Sequence, residues 1–286
     1  MVRKGIILAG GKGTRLSPLT KVINKQLLPL YDKPTIFYPL SILMLANIRD
    51  ILIITNPNED NYFKKILGSG SDFGIKLSYN TQPKPAGLSE AFIIGEKFIN
   101  KKKVAMILGD NFFFGQGFTN KLSEIRNSTK STIFLYPVKN PENYGVVYLK
   151  KNKINKIEEK PKNPRTNLAI AGLYFFDENV SEHAKKLKPS NRGELEIVDL
   201  INIYKKKKKL NFKLLGRGST WLDTGSIESL YETSQFISNI EKRQGLKIAC
   251  IEEIALEKNW IKKKSIKKRI QFYGKCEYSN YLKELI

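Results

Sequence analysis

The chain has 286 residues, 41% of them hydrophobic and 27% charged, which allows one large α/β domain or a domain with an appended part and excludes a disordered chain. Its 50 Lys and Arg against 27 Asp and Glu give a formal charge of +23, and such a surface attracts polyanions whatever the fold. The lysine runs at 101–103, 205–209 and 262–264 carry no interleaved aromatic platform or arginine-rich motif for base readout, so they read as solvated faces and no specific nucleic-acid partner is expected.

The apolar part of the N-terminus is too short for a secretory signal and no run reaches a membrane span, so a cytoplasmic protein with no membrane partner is expected. Residues 5–9 read as a short buried strand that breaks into GGKGTRLSPLTKVINKQLLP. Gly10, Gly11 and Gly13 let the backbone bend sharply and come close to a ligand, and the amides freed by such a turn can face anionic oxygens. Arg15 adds a planar fork and Lys25 a point charge, beside Gln26, so the stretch reads as a triphosphate-handling loop. It is neither familiar glycine fingerprint. P-loop spacing from Gly10 lands on Arg15, and a dinucleotide fingerprint from Gly11 needs glycine where Leu16 stands.

The apolar stretch after Pro34 predicts a helix with Pro34 near its first turn and Pro39 kinking it or in its early turns. A strand at 51–55, a helix at 59–67 and a strand IKLSY follow, and this alternation predicts a mostly parallel sheet. The turn-rich segment 82–88 leads into a helix expected to end near Asn100. In it, the Gln82 amide offers a donor and an acceptor together, suited to a pyrimidine edge, and Gly87 would let the backbone approach the ring. The strand at 104–108 delivers Asp110 and Asn111 at its carboxyl end, where open α/β sheets bind ligands. Taken alone, Asp110 reads first as the cap of a following helix; paired with Asp223 of WLDTG it could share a hard, oxygen-loving cation. From Ser131 the pattern is strand-rich and reads as a sugar-binding half, where Glu159 can accept from hydroxyls and Lys160 can reach a phosphate. His183, in SEHAKKL, reads as a surface residue, and Cys250 and Cys276 as reduced thiols. After Ser226 the chain is helical, amphipathic and without a catalytic grouping.

GxGTRLxPxT followed by KQLLPLYDKP resembles the signature of the sugar nucleotidyltransferases, and the resemblance continues in order through QPKPAGLSEAFIIGE, LGDNFFFG, NYGVV, IEEKP, AGLYFFD, LKPSNRGELEIVD, GRGSTWLDTG and IEKRQGLKIACIEEIA. It implies a Rossmann-like α/β fold: a nucleotidyltransferase core at 1–225, with nucleotide (1–130) and sugar-phosphate (131–225) parts, then a helical segment at 226–286 for packing or oligomerisation. It implies thymidylyl transfer from dTTP to α-D-glucose 1-phosphate, giving dTDP-glucose and pyrophosphate for dTDP-rhamnose or other deoxysugar synthesis, with Mg²⁺ as cofactor, in a homotetramer. Carried over position by position, the resemblance makes Arg15 and Lys25 catalytic and puts Leu8, Gly10, Gly11, Gly13, Thr14, Gln26, Gln82 and Gly87 on the nucleotide. It puts Asn111, Gly145, Glu159, Lys160, Ile170 and Arg192 on the sugar phosphate, and Asp110 and Asp223 on the metal. A relative using UTP, ATP or CTP is the alternative, and the separation rests on Gln82 and Gly87. Ala86, Glu90 and Ala171 depart from the family wording around the base and sugar segments.

Overall fold

In the computed structural model, which describes residues 1–126 and 128–286, strand β1 (Lys4–Ala9) leads through three short 3-10 turns to the two-residue strands β2 (Pro29–Leu30) and β3 (Lys33–Pro34). Helices and strands then alternate as α1 (Phe37–Leu45), β4 (Asp50–Thr55), α2 (Asp60–Leu67), β5 (Lys76–Thr81), α3 (Glu90–Ile94), α4 (Glu96–Ile99) and β6 (Val104–Leu108). β1 lies between β4 and β6, with β5 outside β4, and all these pairs are parallel. Crossovers of this kind place helices on both faces, so the inner strands β1, β4 and β6 are buried along nearly their whole length, while the outer β5 is more polar. In β1, Ile7 and Ala9 enter one apolar cluster while Ile6 and Leu8 enter the other. The parallel α/β sheet expected from the alternation is present.

Pro34 does not start the helix. It pairs with Pro29 in the β2–β3 hairpin, and α1 opens at Phe37 with Pro39 in its first turn, where the missing N–H has no intrahelical acceptor to lose. A helix apolar on every side must be enclosed, and Phe37 through Met44 of α1 are all buried. The helix expected to run to Asn100 is two short ones, interrupted at Gly95.

β7 (Asn111–Gly115) and α5 (Phe118–Arg126) precede β8 (Ser131–Pro137), β9 (Gly145–Lys150), β10 (Lys153–Glu159) and β11 (Leu168–Phe176). Here the pairing turns antiparallel: β11 joins β6, β8 and β9, and β9 joins β10. β11 thus fuses the strand-rich half to the parallel half. After α6 (Val180–Lys185) and α7 (Ile197–Lys206), β12 (Leu210–Leu214) adds to β8 and β13 (Ser219–Asp223) pairs with β7 in a separate ribbon. Asp110 is therefore followed by a strand, and the helix-capping reading falls.

The chain closes with α8 (Ile227–Gln244), α9 (Ile251–Glu257), α10 (Lys263–Tyr273) and α11 (Glu277–Glu284). Ser226 caps α8, its Oγ accepting from the Ser229 amide at 3.2 Å. Cys250, Ile251, Ile266, Tyr278 and Leu282 enter the same cluster as α1, so these helices complete the core on one face of the sheet. Cys250 and Cys276 are both free thiols. Among the described residues no helix is long and apolar enough to cross a membrane.

His183 is buried, not on the surface: only 8% of it is exposed, with its ring against Tyr204 and Nε2 2.8 Å from Lys207 Nζ. Burial, and then Lys207, hold its pKa below the ordinary value, against the opposing pull of Asp177. A lowered folded-state pKa contributes stability that is present above the unfolded value, about 6.5, and is lost as pH falls through the folded value. The melting temperature is therefore expected to fall between about pH 7.5 and 5 more steeply in the natural protein than in His183→Gln; equal slopes by calorimetry would refute this.

Candidate active site

Ala9 is in register with Thr55, and Thr55 with Thr81, so β1, β4 and β5 end level with one another. Gly10, Asn56 and Gln82 leave the sheet at that edge, and Asp110 leaves the end of β6 beside them. This is the carboxyl edge at which open α/β sheets take ligands. Two clefts open there. One of ≈ 600 Å³ is lined by Gly11, Lys12, Thr14, Asn56 and Gln82. The other, of ≈ 310 Å³, lies toward β9 and β11 and is lined by Leu8, Gly10, Arg15, Asp110, Glu159 and Asp223, among others. Lys25 lines both.

The glycine loop is braced from below. Asn56 Oδ1 accepts from the Gly11 amide at 2.8 Å, and Glu59 Oε2 accepts from both Asn56 Nδ2 (2.8 Å) and Asn24 Nδ2 (2.5 Å). Thr20 Oγ1 donates to the Gly13 carbonyl at 2.8 Å. The amides of Lys12, Gly13, Thr14 and Arg15 have no acceptor among the described residues. Held open on its frame, the loop presents those amides beside the larger cleft, a concavity of partial positive charge.

The two acids meet. β7 and β13 put Asn111 opposite Asp223, and Thr224 ties the turns together, its amide and Oγ1 donating to the Asp110 carbonyl at 2.9 and 3.0 Å. Lys25 Nζ is 2.5 Å from Asp110 Oδ2, and Tyr144 donates to Asp223 Oδ2 at 2.9 Å. Burial pushes the Asp110 carboxyl up, but Lys25 and the Asn111 amide outweigh it, so it stays ionised below the ordinary carboxylate range. Burial and then Asp223 push the Tyr144 phenol up, which keeps it a donor. Arg15 lies across Gly225: a Cβ there would stand 2.6 Å from Arg15 Nη2, so a side chain at that turn would displace the guanidinium.

On the β9–β11 side, Gly145, Glu159, Lys160, Ile170 and Arg192 line the smaller cleft together. Arg192 is not an unpaired cation. Its Nη2 reaches both oxygens of Glu196 at 2.9 Å and Glu159 Oε1 at 3.2 Å, so the guanidinium holds two carboxylates in place. Burial, then Glu196, raise the Glu159 pKa, against Lys160 and Arg192. A raised carboxyl pKa means that the ionised form costs stability at neutral pH and that the cost is relieved on acidification. Glu159→Gln is expected to raise the melting temperature at pH 7 while raising the KM for a sugar phosphate roughly tenfold or more. Calorimetry and initial rates check the pair, and a lower melting temperature would contradict the first.

Some expected ligand contacts are bonded into the protein itself, Asn111 while still lining the smaller cleft. Asn111 is 2% exposed; its Oδ1 accepts from Trp221 Nε1 at 2.6 Å and from the Gly172 amide at 3.2 Å, and its Nδ2 donates to Asp110 at 3.1 Å. It orients Asp110. Gln26 is 1% exposed, donates weakly to the Gly10 carbonyl at 3.4 Å, and its buried Oε1 has no partner. Gly13 and Gly87 line neither cleft. Gly87, at φ 105, packs its Cα on Leu195, where a Cβ would stand 2.5 Å from the backbone nitrogen and oxygen. That crossing by itself requires glycine there. Tyr144, Asn56, Glu196 and Trp221 were not anticipated. Asn56 alone carried a local signal, a polar residue directly after a strand end, as Asp110 is.

The profile of the nucleotidyl transferase family matches residues 4–240. The glucose-1-phosphate thymidylyltransferase of Neisseria meningitidis serogroup A is 52% identical over 285 residues, 99% of either chain. A Bacillus anthracis crystal structure, provisionally named a glucose-1-phosphate thymidylyltransferase and solved with sucrose, superposes with a TM-score of 0.77 at 38% identity, covering 82% of this chain and 95% of that one. A UDP-glucose pyrophosphorylase complexed with UDP-glucose gives 0.74 at 26% identity, covering 85% of this chain and all of the other.

Proposed function

The chain belongs to the nucleotidyl transferase family, and from that premise we propose that it transfers a thymidylyl group from dTTP to α-D-glucose 1-phosphate, giving dTDP-glucose and pyrophosphate. The observation that carries the reading is the position of Lys25, common to a cleft fronted by unpaired amides and a cleft lined by carboxylates suited to hydroxyls. A reaction joining two phosphorylated substrates needs a cation at their meeting point.

A phosphate oxygen of the sugar phosphate attacks the α-phosphorus of dTTP in line. The new P–O bond forms as the bond from the α-phosphorus to the α,β-bridging oxygen breaks, and its electron pair leaves on pyrophosphate. No protein nucleophile is needed; the work is alignment and neutralisation of charge. The amides of Lys12 and Thr14, in the wall of the larger cleft, receive the triphosphate, and the Arg15 guanidinium, in the wall of the smaller one, meets its α-phosphate end. Lys25 holds the sugar phosphate against the α-phosphate, with Lys160 at its outer side. Glu159 and Glu196, set by Arg192, accept from the sugar hydroxyls.

Asp110 and Asp223 fit a hard divalent cation: two carboxylates from adjoining turns line one cleft and are oriented by Asn111 and Tyr144. Mg²⁺ held by them would supply positive charge to the nucleotide phosphates. The family resemblance also supports a homotetramer in the cytoplasm, and Ile227 and Tyr231 on α8 offer exposed apolar surface for assembly. Light scattering on the purified protein tests the assembly.

The function is tested by pyrophosphate release from purified protein with Mg²⁺, glucose 1-phosphate and dTTP, UTP, CTP, ATP or GTP in separate reactions. A preference for dTTP is expected; no release with any of them would overturn the proposal.

A further inference from the structure

The Gln82 amide has a fixed sense. Only 5% of the residue is exposed, and Nε2 donates to Glu90 Oε2 at 2.7 Å and to the Gly87 carbonyl at 3.3 Å. A carboxylate and a backbone carbonyl accept and never donate, so the NH₂ end must face them. The amide has two N–H hydrogens, and both are used on that side. Oε1 is left to face the other way, where Gln82 lines the larger cleft and Oε1 comes within 3.0 Å of the place a Cβ would occupy on Gly10. No donor among the described residues is assigned to Oε1.

We propose that Glu90 is a positioning residue for base selection: its carboxylate locks the Gln82 amide so that the cleft offers an acceptor, and no donor, to the N3 edge of the incoming base. This rests on the transferase reading above. N3 of thymine or uracil carries a hydrogen and can donate to Oε1. N3 of cytosine is an acceptor and would meet Oε1 lone pair to lone pair, a repulsive arrangement that costs affinity for the wrong base. A terminal amide turned by half a rotation exchanges its donor for its acceptor, so an unlocked glutamine would serve either edge. Gln82 alone is ambivalent; Glu90, which lines neither cleft, gives it one meaning.

The test compares the natural protein with Glu90→Gln and Glu90→Ala on dTTP, dUTP and dCTP with glucose 1-phosphate, reading kcat and KM separately from pyrophosphate release. Glu90→Gln is nearly isosteric and can either accept from or donate to Gln82, so it removes the stronger lock while keeping the packing and leaves only the 3.3 Å bond to the Gly87 carbonyl to hold the sense. The ratio of kcat/KM for dTTP over dCTP is expected to fall about tenfold or more in both variants, the scale of one lost base-edge contact. The loss should lie in KM for dTTP rather than in kcat. The ratio of dTTP to dUTP should stay within about twofold, because both rings present the same N3–H edge. A looser loop with no role in orientation would weaken all three nucleotides together and leave the dTTP-to-dCTP ratio unchanged, and that result overturns the proposal. If Glu90→Ala fails to fold, the isosteric variant decides alone. No release by the natural protein with dTTP would instead strike the transferase reading, which separates the two failures.

Discussion

Lys25→Ala should lower kcat by roughly 10²–10³-fold, the cost of removing one preorganised charge from a site that must bring two anions together. Lys25 is the one predicted catalytic side chain that lines both clefts, and its Nζ is bonded to Asp110 at 2.5 Å. Its loss has a structural consequence as well. Burial, which pushes the Asp110 carboxyl up, would no longer be opposed by its main counter-charge. With a lowered pKa, the natural Asp110 contributes stability above the unfolded carboxylate value, about 3.9, and loses it as pH falls through the folded value. In Lys25→Ala that contribution shrinks, and about 1.5–3 kcal/mol of stability should go with it, as for a lost hydrogen bond to a charged group. Adding Asp110→Asn should restore most of the stability and none of the activity. Lys25→Arg should stay well below the natural rate, because a planar fork cannot take the place of a compact ammonium between two phosphates. Stopped assays and denaturant melts on the four proteins read both effects; near-natural turnover in Lys25→Ala would remove it from the chemistry.

The nucleotide side of this site was legible because each of its parts follows a strand end. Gly10 and Asp110 stand within two residues of an aliphatic run and Gln82 directly after the more polar strand β5, and parallel strands bring their carboxyl ends to one edge. Roles within the edge were not legible in the same way. Asn111 and Gln26 are ligand contacts only through the family resemblance; in the fold Trp221 and the Gly172 amide hold the Asn111 side chain, and the buried Gln26 amide turns to the Gly10 carbonyl. The partner of Asp223 is Tyr144, 79 positions away, and no local pattern announces that pair. Pro34 misled because proline is at home both in a first helical turn and in a short edge strand; the hairpin won through the Thr35 and Ile36 amides, which bond back to Leu28 and Gln26. His183 misled because its polar neighbours in sequence face outward while Tyr204 and Lys207, from another helix and its end, cover it.

Asp223→Asn should lower kcat by about 10²-fold at ordinary Mg²⁺ and raise the Mg²⁺ concentration for half-maximal rate at least about tenfold, since a neutral amide removes charge and one of two hard donors. The turn itself should survive: Thr224 holds it to the Asp110 carbonyl, and the asparagine Oδ1 can still accept from the Gly225 amide while its Nδ2 donates to the Tyr144 hydroxyl oxygen. Tyr144→Phe isolates orientation from ligation. It leaves both carboxylates and deletes only the 2.9 Å donor to Asp223, so a shift in the Mg²⁺ requirement no larger than that of Asp223→Asn, about 10-fold, is expected with little change in kcat, as for other partners that orient a ligating group. Chelation should abolish turnover of the natural protein and added Mg²⁺ should restore it. Titrating Mg²⁺ at saturating dTTP and glucose 1-phosphate separates the cases. A natural half-saturation value in Asp223→Asn would take Asp223 away from the metal and leave it as the acceptor that fixes Tyr144 and, through Gly225, the path of Arg15.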